Sequence, residues 1–416
     1  MSIIIKNCLH DNKQKDIYIE NNIISEISNN INVEAEHKID GKNKAIIPSF
    51  MNSHSHAAMT LFRGYGDDLK LMDWLQNRIW PNEAKMTEKI VYQGSKLACL
   101  EMIKSGTTMF NDMYWHFKGT AKAVEETGMR AALNAVFIDL ADKNKANEQI
   151  NINKKLYEEY KNHKQIQFSL GPHSIYTVSK ESLIWAKEFA EKHNLKLHIH
   201  VSENEAEVKD CIKEHGMRPI EYLNEIGFLS SNVIAAHTVW VNKKEVDILA
   251  KNNVSIAYNP VSNMKLAVNN VFPYKLFKQN KVNICLGTDS AASNNNLSMF
   301  DTMKFASLIQ KHHYNDPTVL RANECFKMAT RNGFKFFGLN AGEIKEGMLA
   351  DFNLIKLKMP EMIPNHNLIS NVVYAANGSC VNTTVCNGKI LMNDRVVKNE
   401  EEIVNEAIQT AKEFLN

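Results

Sequence analysis

The sequence predicts a (β/α)8 barrel beside a small composite β-sandwich built from the two chain ends. Three observations carry that prediction. Short apolar runs recur between residues 45 and 340, separated by amphipathic stretches. The β-rich, turn-rich texture of residues 1–48 returns after residue 342. No GxGxxG follows the first apolar run, so the competing open, doubly wound sheet lacks its signature.

In chain order, "SIIIKNC", "DIYIENNIISEI" and "HKIDGKNKAIIPS" read as short strands joined by turns. The barrel, expected over residues 49–342, opens on "AIIPSFMNSHSH". It continues through "GTTMFNDM", "RAALNAVFI", "IQFSLGPHS", "LKLHIHVSE", "NVIAAHT", "VSIAYNP" and "VNICLGTDS". Between these, "EKIVYQGSKLACLEMIKSG", "KESLIWAKEFAEKHN" and "RPIEYLNEIGFL" repeat apolar residues at helical spacing. After residue 342, "GEIKEGMLADFNLIKL" and "VVYAANGSCVNTTVCNGKILMNDRVV" return to β texture. Residues 1–48 plus 343–416 should therefore form the small domain, with "NEEEIVNEAIQTAKEFLN" as its terminal helix.

Bulk properties narrow the partners. A chain of 416 residues with 44% hydrophobic content can bury more than one core. Its 49 basic and 47 acidic residues leave a net charge of +2, which offers nothing to attract nucleic acid or an anionic membrane. No apolar run reaches the ~18 residues of a membrane span, and "MSIIIKNCLHDNK" lacks a signal-peptide core. Seven cysteines without a CxxC pair fit reduced thiols. A cytoplasmic protein acting on a small molecule is expected, with homo-oligomerisation left open.

Barrel active sites lie where strands run out into their following loops. The first run ends on His54 and His56, which share a strand face because side chains alternate with period two. The others end on His173, on His200 and Glu203, on His237, and on Asp289. Each has an ordinary explanation taken singly: a histidine hydrogen-bonded in a loop, or an aspartate capping the next helix. Five runs ending this way on one rim outweigh that explanation. Imidazole and carboxylate are the donors a divalent cation takes. His198 shares a face with His200 but lies one layer deeper, as packing or as support for a ligand.

The segments "PSFMNSHSHAAMTLFRG", "GPHSIYT", "HIHVSENEAE", "AAHTVW", "NPVSNMKLA" and "GTDSAASNNNLSMFDTMK" resemble the amidohydrolase superfamily. "LMDWLQNRIWPNEAKMT" and "LNAGEIKEGMLADFNLI" make the likeness specific to its methylthioadenosine/S-adenosylhomocysteine deaminase group, relatives of triazine chlorohydrolases and guanine deaminases. The resemblance implies that His54, His56, His200 and Asp289 bind one divalent metal ion, usually Zn2+. It also implies that His237 hydrogen-bonds the attacking water, that Asp289 accepts a proton from it, and that Glu203 shuttles protons. Glu83 would bind ribose hydroxyls, although a glutamate at a helix start is otherwise unremarkable. His173 would contact the purine, Ser293 would line the same pocket, and Trp80 and Met59 would form apolar walls.

Two-metal members of the family carry a bridging, carboxylated lysine on the fourth strand, and "IQFSLGPHS" has no lysine at its end, so a mononuclear site is expected. Members that accept S-adenosylhomocysteine clamp its carboxylate with arginines, yet no arginine lies between Arg130 and Arg218. Lys143 or Lys145 would be poorer substitutes. The expected reaction is thus hydrolytic deamination of 5′-methylthioadenosine or adenosine, with S-adenosylhomocysteine a weaker substrate. The alternatives are the same site acting on guanine, a cytosine derivative or a triazine, and a non-catalytic metal-binding scaffold. The other zinc-deaminase plan needs a PCxxC segment, which this chain lacks.

Overall fold

The computed structural model describes residues 1–69 and 71–415, with the side chains of Leu71 and Met72 also outside the description. The segment "LMDWLQNRIWPNEAKMT" therefore loses its first two side chains, and the terminal helical stretch loses Asn416.

The chain begins with β1 (Ser2–His10), β2 (Lys13–Glu20), β3 (Ile23–Ser28), β4 (His37–Asp40) and β5 (Lys44–Pro48). The barrel strands follow: β6 (Phe50–Ser55), β7 (Thr107–Tyr114), β8 (Arg130–Phe137), β9 (Ile166–Pro172), β10 (Leu197–Val201), β11 (Val233–His237), β12 (Ser255–Tyr258) and β13 (Ile284–Leu286). The C-terminal part supplies β14 (Phe352–Lys356), β15 (Val381–Cys386), β16 (Lys389–Asn393) and β17 (Val396–Val397).

The eight strands β6 to β13 pair in sequence order, all in parallel. A bridge between Ser55 and Asp289 joins the last edge to the first, and the Asp289 amide donates to the His54 carbonyl at 3.0 Å. Gly287 makes this approach possible, because a Cβ there would lie 2.7 Å from that of His54. Every residue of β7 and β8 is buried, as expected for strands covered on both faces. That is why these segments read as continuous apolar runs and not as an alternation.

The two ends meet in a nine-stranded sheet ordered β17-β16-β15-β14-β5-β1-β2-β3, with β4 on β1. Its own core includes Ile3, Ile5, Ile17, Ile19, Phe352 and Leu354. Antiparallel pairing of β5 with β14 brings the distant termini together, Pro48 opposite Phe352. One residue after β5 the chain enters β6, so the small sheet anchors the strand that carries His54 and His56.

One stretch departs from its sequence texture. The stretch opening on "VVY" has β-rich, turn-rich texture, but those three residues end a helix, Leu368–Tyr374, capped by Asn367, whose side chain accepts from the Ser370 amide at 3.0 Å. Val372 and Val373 are buried in the main core, so tertiary burial overrides β-branched propensity.

A buried ion pair fastens the sheet to the barrel. Arg130, the first residue of β8, donates to Asp351 at 2.5 Å, and the aspartate also accepts from the Asn387 amide at 3.2 Å. Removing the guanidinium leaves an uncompensated carboxylate in the interior. Arg130→Ala is expected to cost about 3–5 kcal/mol in urea unfolding; a loss under 1 kcal/mol would show the pair to be dispensable. Among the described residues no helix is long and apolar enough to cross a membrane.

Candidate active site

The strand ends put the expected side chains around one point. His54 and His56 leave β6 on the same face, His200 comes from β10, and Asp289 follows β13. Asp289 Oδ1 lies 3.4 Å from His54 Nε2 and 3.3 Å from His56 Nε2, while His200 Nε2 lies 3.3 Å from His56 Nε2. The donor atoms of His54, His56 and His200 fall within 4.8 Å of one another, as do those of His54, His237 and Asp289.

Hydrogen bonds on the far side of the rings show what these atoms are for. His56 Nδ1 donates to the Met113 carbonyl at 2.6 Å, and His200 Nδ1 donates to the His173 carbonyl at 2.9 Å. A carbonyl only accepts, so each neutral ring keeps its lone pair on Nε2. Two such lone pairs then face each other beside a carboxylate oxygen, an arrangement that repels itself unless a cation sits among them. His54 Nε2 is likewise buried with no hydrogen-bond partner. Without a metal, the carboxylate draws positive charge onto a ring. Burial works against the charged form of His56, but Asp289 lifts it to about 9, whereas burial presses His54 down to about 4. Burial opposes the charged carboxylate of Asp289 too, and its two histidines still hold it well below the usual range. The donor set fits one divalent ion of the zinc type.

His198 takes the deeper position expected of it, with Nε2 2.9 Å from His54 Nδ1. His237 packs against the cluster, its ring centroid 5.3 Å from that of His54, and accepts from Asn263 at 2.9 Å through Nδ1. Glu203 approaches that same Nδ1 at 3.7 Å. Burial raises the Glu203 carboxyl above the usual range, His237 opposes the shift, and Asp289 adds to it. A carboxyl shifted upward holds its proton to higher pH, the direction a general acid requires.

Glu83 ends a helical segment that runs through Leu71–Trp74, a π turn at Leu75–Ile79 and Trp80–Glu83. Burial raises its carboxyl, countered by the Tyr114 hydroxyl and by His56. With Trp80, Met86, Tyr114, Trp115 and Phe117 it lines a cavity of about 720 Å³. Met59 is buried in the packing around that segment and does not line this cavity. His173 lies beside His200, ring centroids 4.7 Å apart, its Nδ1 held by Ser174 and Thr177. Ser293 is placed next to the cluster and not along the cavity wall: its hydroxyl donates to Asp289 Oδ2 at 3.0 Å.

Several contributors carry no signal at the level of single residues. Ser262 also donates to Asp289 Oδ2, so two hydroxyls hold that oxygen while Oδ1 faces the histidines. Asp112, buried on β7, accepts from the Ala57 amide at 2.6 Å and fixes the turn after His56. Tyr114 faces both Glu83 and the His56 ring. Backbone geometry adds another common feature: Ser202, His237, Thr238 and Asp289 all adopt positive φ, at 54°, 71°, 47° and 62°. Such conformations cost energy for non-glycine residues and cluster where a side chain is aimed.

Fold and rim together define a class, a closed parallel barrel whose mouth is built around a histidine–carboxylate cation cluster. A profile of the amidohydrolase family matches residues 45–391. The chain belongs to that family, as its motifs suggested. It is 47% identical to a 5′-deoxyadenosine deaminase of Methanosphaera stadtmanae, over 99% of both chains. It is 46% identical to 5-methylthioadenosine/S-adenosylhomocysteine deaminase 1 of Archaeoglobus fulgidus, over 95% of this chain and 94% of that one. Among solved structures, a zinc-bound adenosine deaminase from Xanthomonas campestris superposes with a TM-score of 0.94 at 29% identity, covering 100% of this chain and 98% of that one.

Proposed function

We propose that this chain hydrolytically deaminates adenine nucleosides with an uncharged 5′ end, 5′-deoxyadenosine and 5′-methylthioadenosine foremost, and releases ammonia. The observation that carries the reading is the convergence of His54, His56, His200 and Asp289, with the Glu203 carboxyl 3.7 Å from His237 beside them. The names of the relatives at 46% and 47% identity support it, and they add 5′-deoxyadenosine to the substrates expected from the sequence.

His54, His56, His200 and Asp289 would hold the ion, and we assign zinc, supported by the Xanthomonas enzyme. When bound, such an ion supplies Lewis-acid activation, lowering the pKa of a water from about 15.7 to about 7. Glu203 gives its proton to N1 of the adenine, so that the ring accepts electrons as C6 becomes tetrahedral. Asp289 and His237 orient the attacking water and take its first proton, which passes to the departing amine. The C6–N bond breaks, ammonia leaves, and Glu203 regains a proton as the C6 carbonyl forms.

We assign Glu83 to the two ribose hydroxyls and the cavity it lines to the 5′ substituent, supported by its carboxyl, raised by burial, on that wall. That cavity is walled mainly by apolar side chains, and its one ammonium among the described residues, from Lys118, pairs with Glu159 at 2.7 Å. Lys143 and Lys145 are absent from its lining. A homocysteine carboxylate therefore meets no guanidinium, while a methyl or methylthio group meets carbon. A small-molecule substrate also suits the near-neutral net charge, and seven unpaired, buried cysteines support a cytoplasmic location.

The test is ammonia release from a panel of nucleosides and free bases. 5′-Deoxyadenosine and 5′-methylthioadenosine should exceed S-adenosylhomocysteine in kcat/KM by at least about tenfold, with guanine and triazines inert. Glu83→Ala should cut nucleoside kcat/KM by about 100-fold or more, from two lost hydrogen bonds in a buried site, and should affect free adenine far less. Equal losses on nucleoside and base would remove Glu83 from ribose recognition.

A further inference from the structure

Glu207 lies outside the cation cluster, yet its carboxylate is built into the loop that carries Glu203. It is buried, with 6% of its surface exposed, at the third position of the helix Glu205–His215. Asn204 caps that helix and accepts from the Glu207 amide at 3.0 Å. In an ordinary capping box the glutamate at this position returns the bond to the amide of the capping residue itself. Elsewhere in this chain Glu221 and Glu245 do so, accepting from Arg218 and Asn242 at 3.1 and 2.9 Å.

Glu207 reaches further back. Its Oε1 accepts from the Ser202 amide at 2.7 Å and its Oε2 from the Glu203 amide at 2.9 Å. Ser202 is one of the positive-φ residues, and its carbonyl accepts from Val239 and Trp240 at 3.0 and 2.8 Å, in the loop that follows His237. The turn is thus gripped on both sides, by a carboxylate on its amides and by the next loop on its carbonyl. Burial pushes the Glu207 carboxyl up to about 8, and the bonds from Ser202 and Glu203 oppose that shift. Accepting from two otherwise orphaned amides offsets the cost of the left-handed serine. The outcome of the turn is that Glu203 faces His237.

We propose that Glu207 is a positioning residue that acts through Glu203, holding the turn at Ser202 so that the acid keeps its place opposite His237. This rests on the role given to Glu203 above. A carboxylate that served only the helix would bond Asn204, and this one bypasses it. An amide in its place has one accepting oxygen, so Glu207→Gln frees one of the two backbone amides and lets the turn relax. Misplacing a reacting group by about 1 Å costs on the order of 100-fold.

The test is a double-mutant cycle on the metal-loaded enzyme with 5′-methylthioadenosine, with zinc content and thermal midpoint measured for each protein. Glu207→Gln should lower kcat by about 10–100-fold with KM within about threefold, and should add nothing further in the Glu203→Gln background. A parallel rise in KM, or a loss that multiplies with that of Glu203→Gln, would overturn the proposal by making Glu207 a general stabiliser. If Glu207→Gln fails to fold, Glu207→Asp, one methylene short, serves in its place with the same two criteria. Should Glu203→Gln itself keep normal turnover, the acid assignment falls. If Glu203→Gln is crippled and Glu207→Gln is unimpaired, the positioning role alone falls.

Discussion

Glu203→Gln is expected to lower kcat on 5′-methylthioadenosine by about 10²–10⁴-fold, the usual worth of a positioned acid, while the protein keeps its zinc. Glutamine matches the size of glutamate and can hydrogen-bond N1, but it has no proton to give. The raised carboxyl makes the loss pH-dependent in a definite sense. Burial shifts Glu203 upward, so the acid form persists above the ordinary carboxylate range and is lost as pH rises through the shifted value. Wild-type kcat/KM should therefore fall on its alkaline side with the loss of that proton, and this limb should vanish in the variant. Retention of near-normal turnover by metal-loaded Glu203→Gln would refute the assignment.

The barrel and most of its rim were legible because each depends on a short-range pattern. Parallel strands covered on both faces leave uninterrupted apolar runs, and the rule that chemistry sits at their C-terminal ends selects one residue or two from five of the eight. His54 and His56 needed only the two-residue period of a strand. The supporting contacts were not legible, because each partner comes from a distant segment. Ser262 and Asp289 are 27 residues apart, and Ala57 and Asp112 are 55 apart. Ser262 and Asn263 sit in "NPVSNMKLA", which carried the family likeness without giving either a role, and a lone Asp112 within a strand run carries no mark of its own. Glu207 was hidden differently, since an Asn-x-x-Glu spacing announces an ordinary helix cap. The Leu368–Tyr374 helix shows the same limit for local structure, its valines favouring a strand until burial decided otherwise.

Removal of the cation should have the largest effect of all. Four donors from three separated segments converge with their lone pairs facing one another. None of them supplies a nucleophile, and without Lewis-acid activation water stays a poor attacking group. Zinc-free protein should remain folded, because the barrel core is formed by apolar burial independent of the rim. The decisive measurement is ammonia release from 5′-methylthioadenosine by one sample, assayed as purified, after exhaustive chelation, and after graded return of zinc with elemental analysis. One equivalent per chain should restore a turnover that chelation had abolished, and His200→Ala should neither retain zinc nor recover. Undiminished turnover by metal-free protein, or a requirement for two equivalents, would contradict the single-cation site.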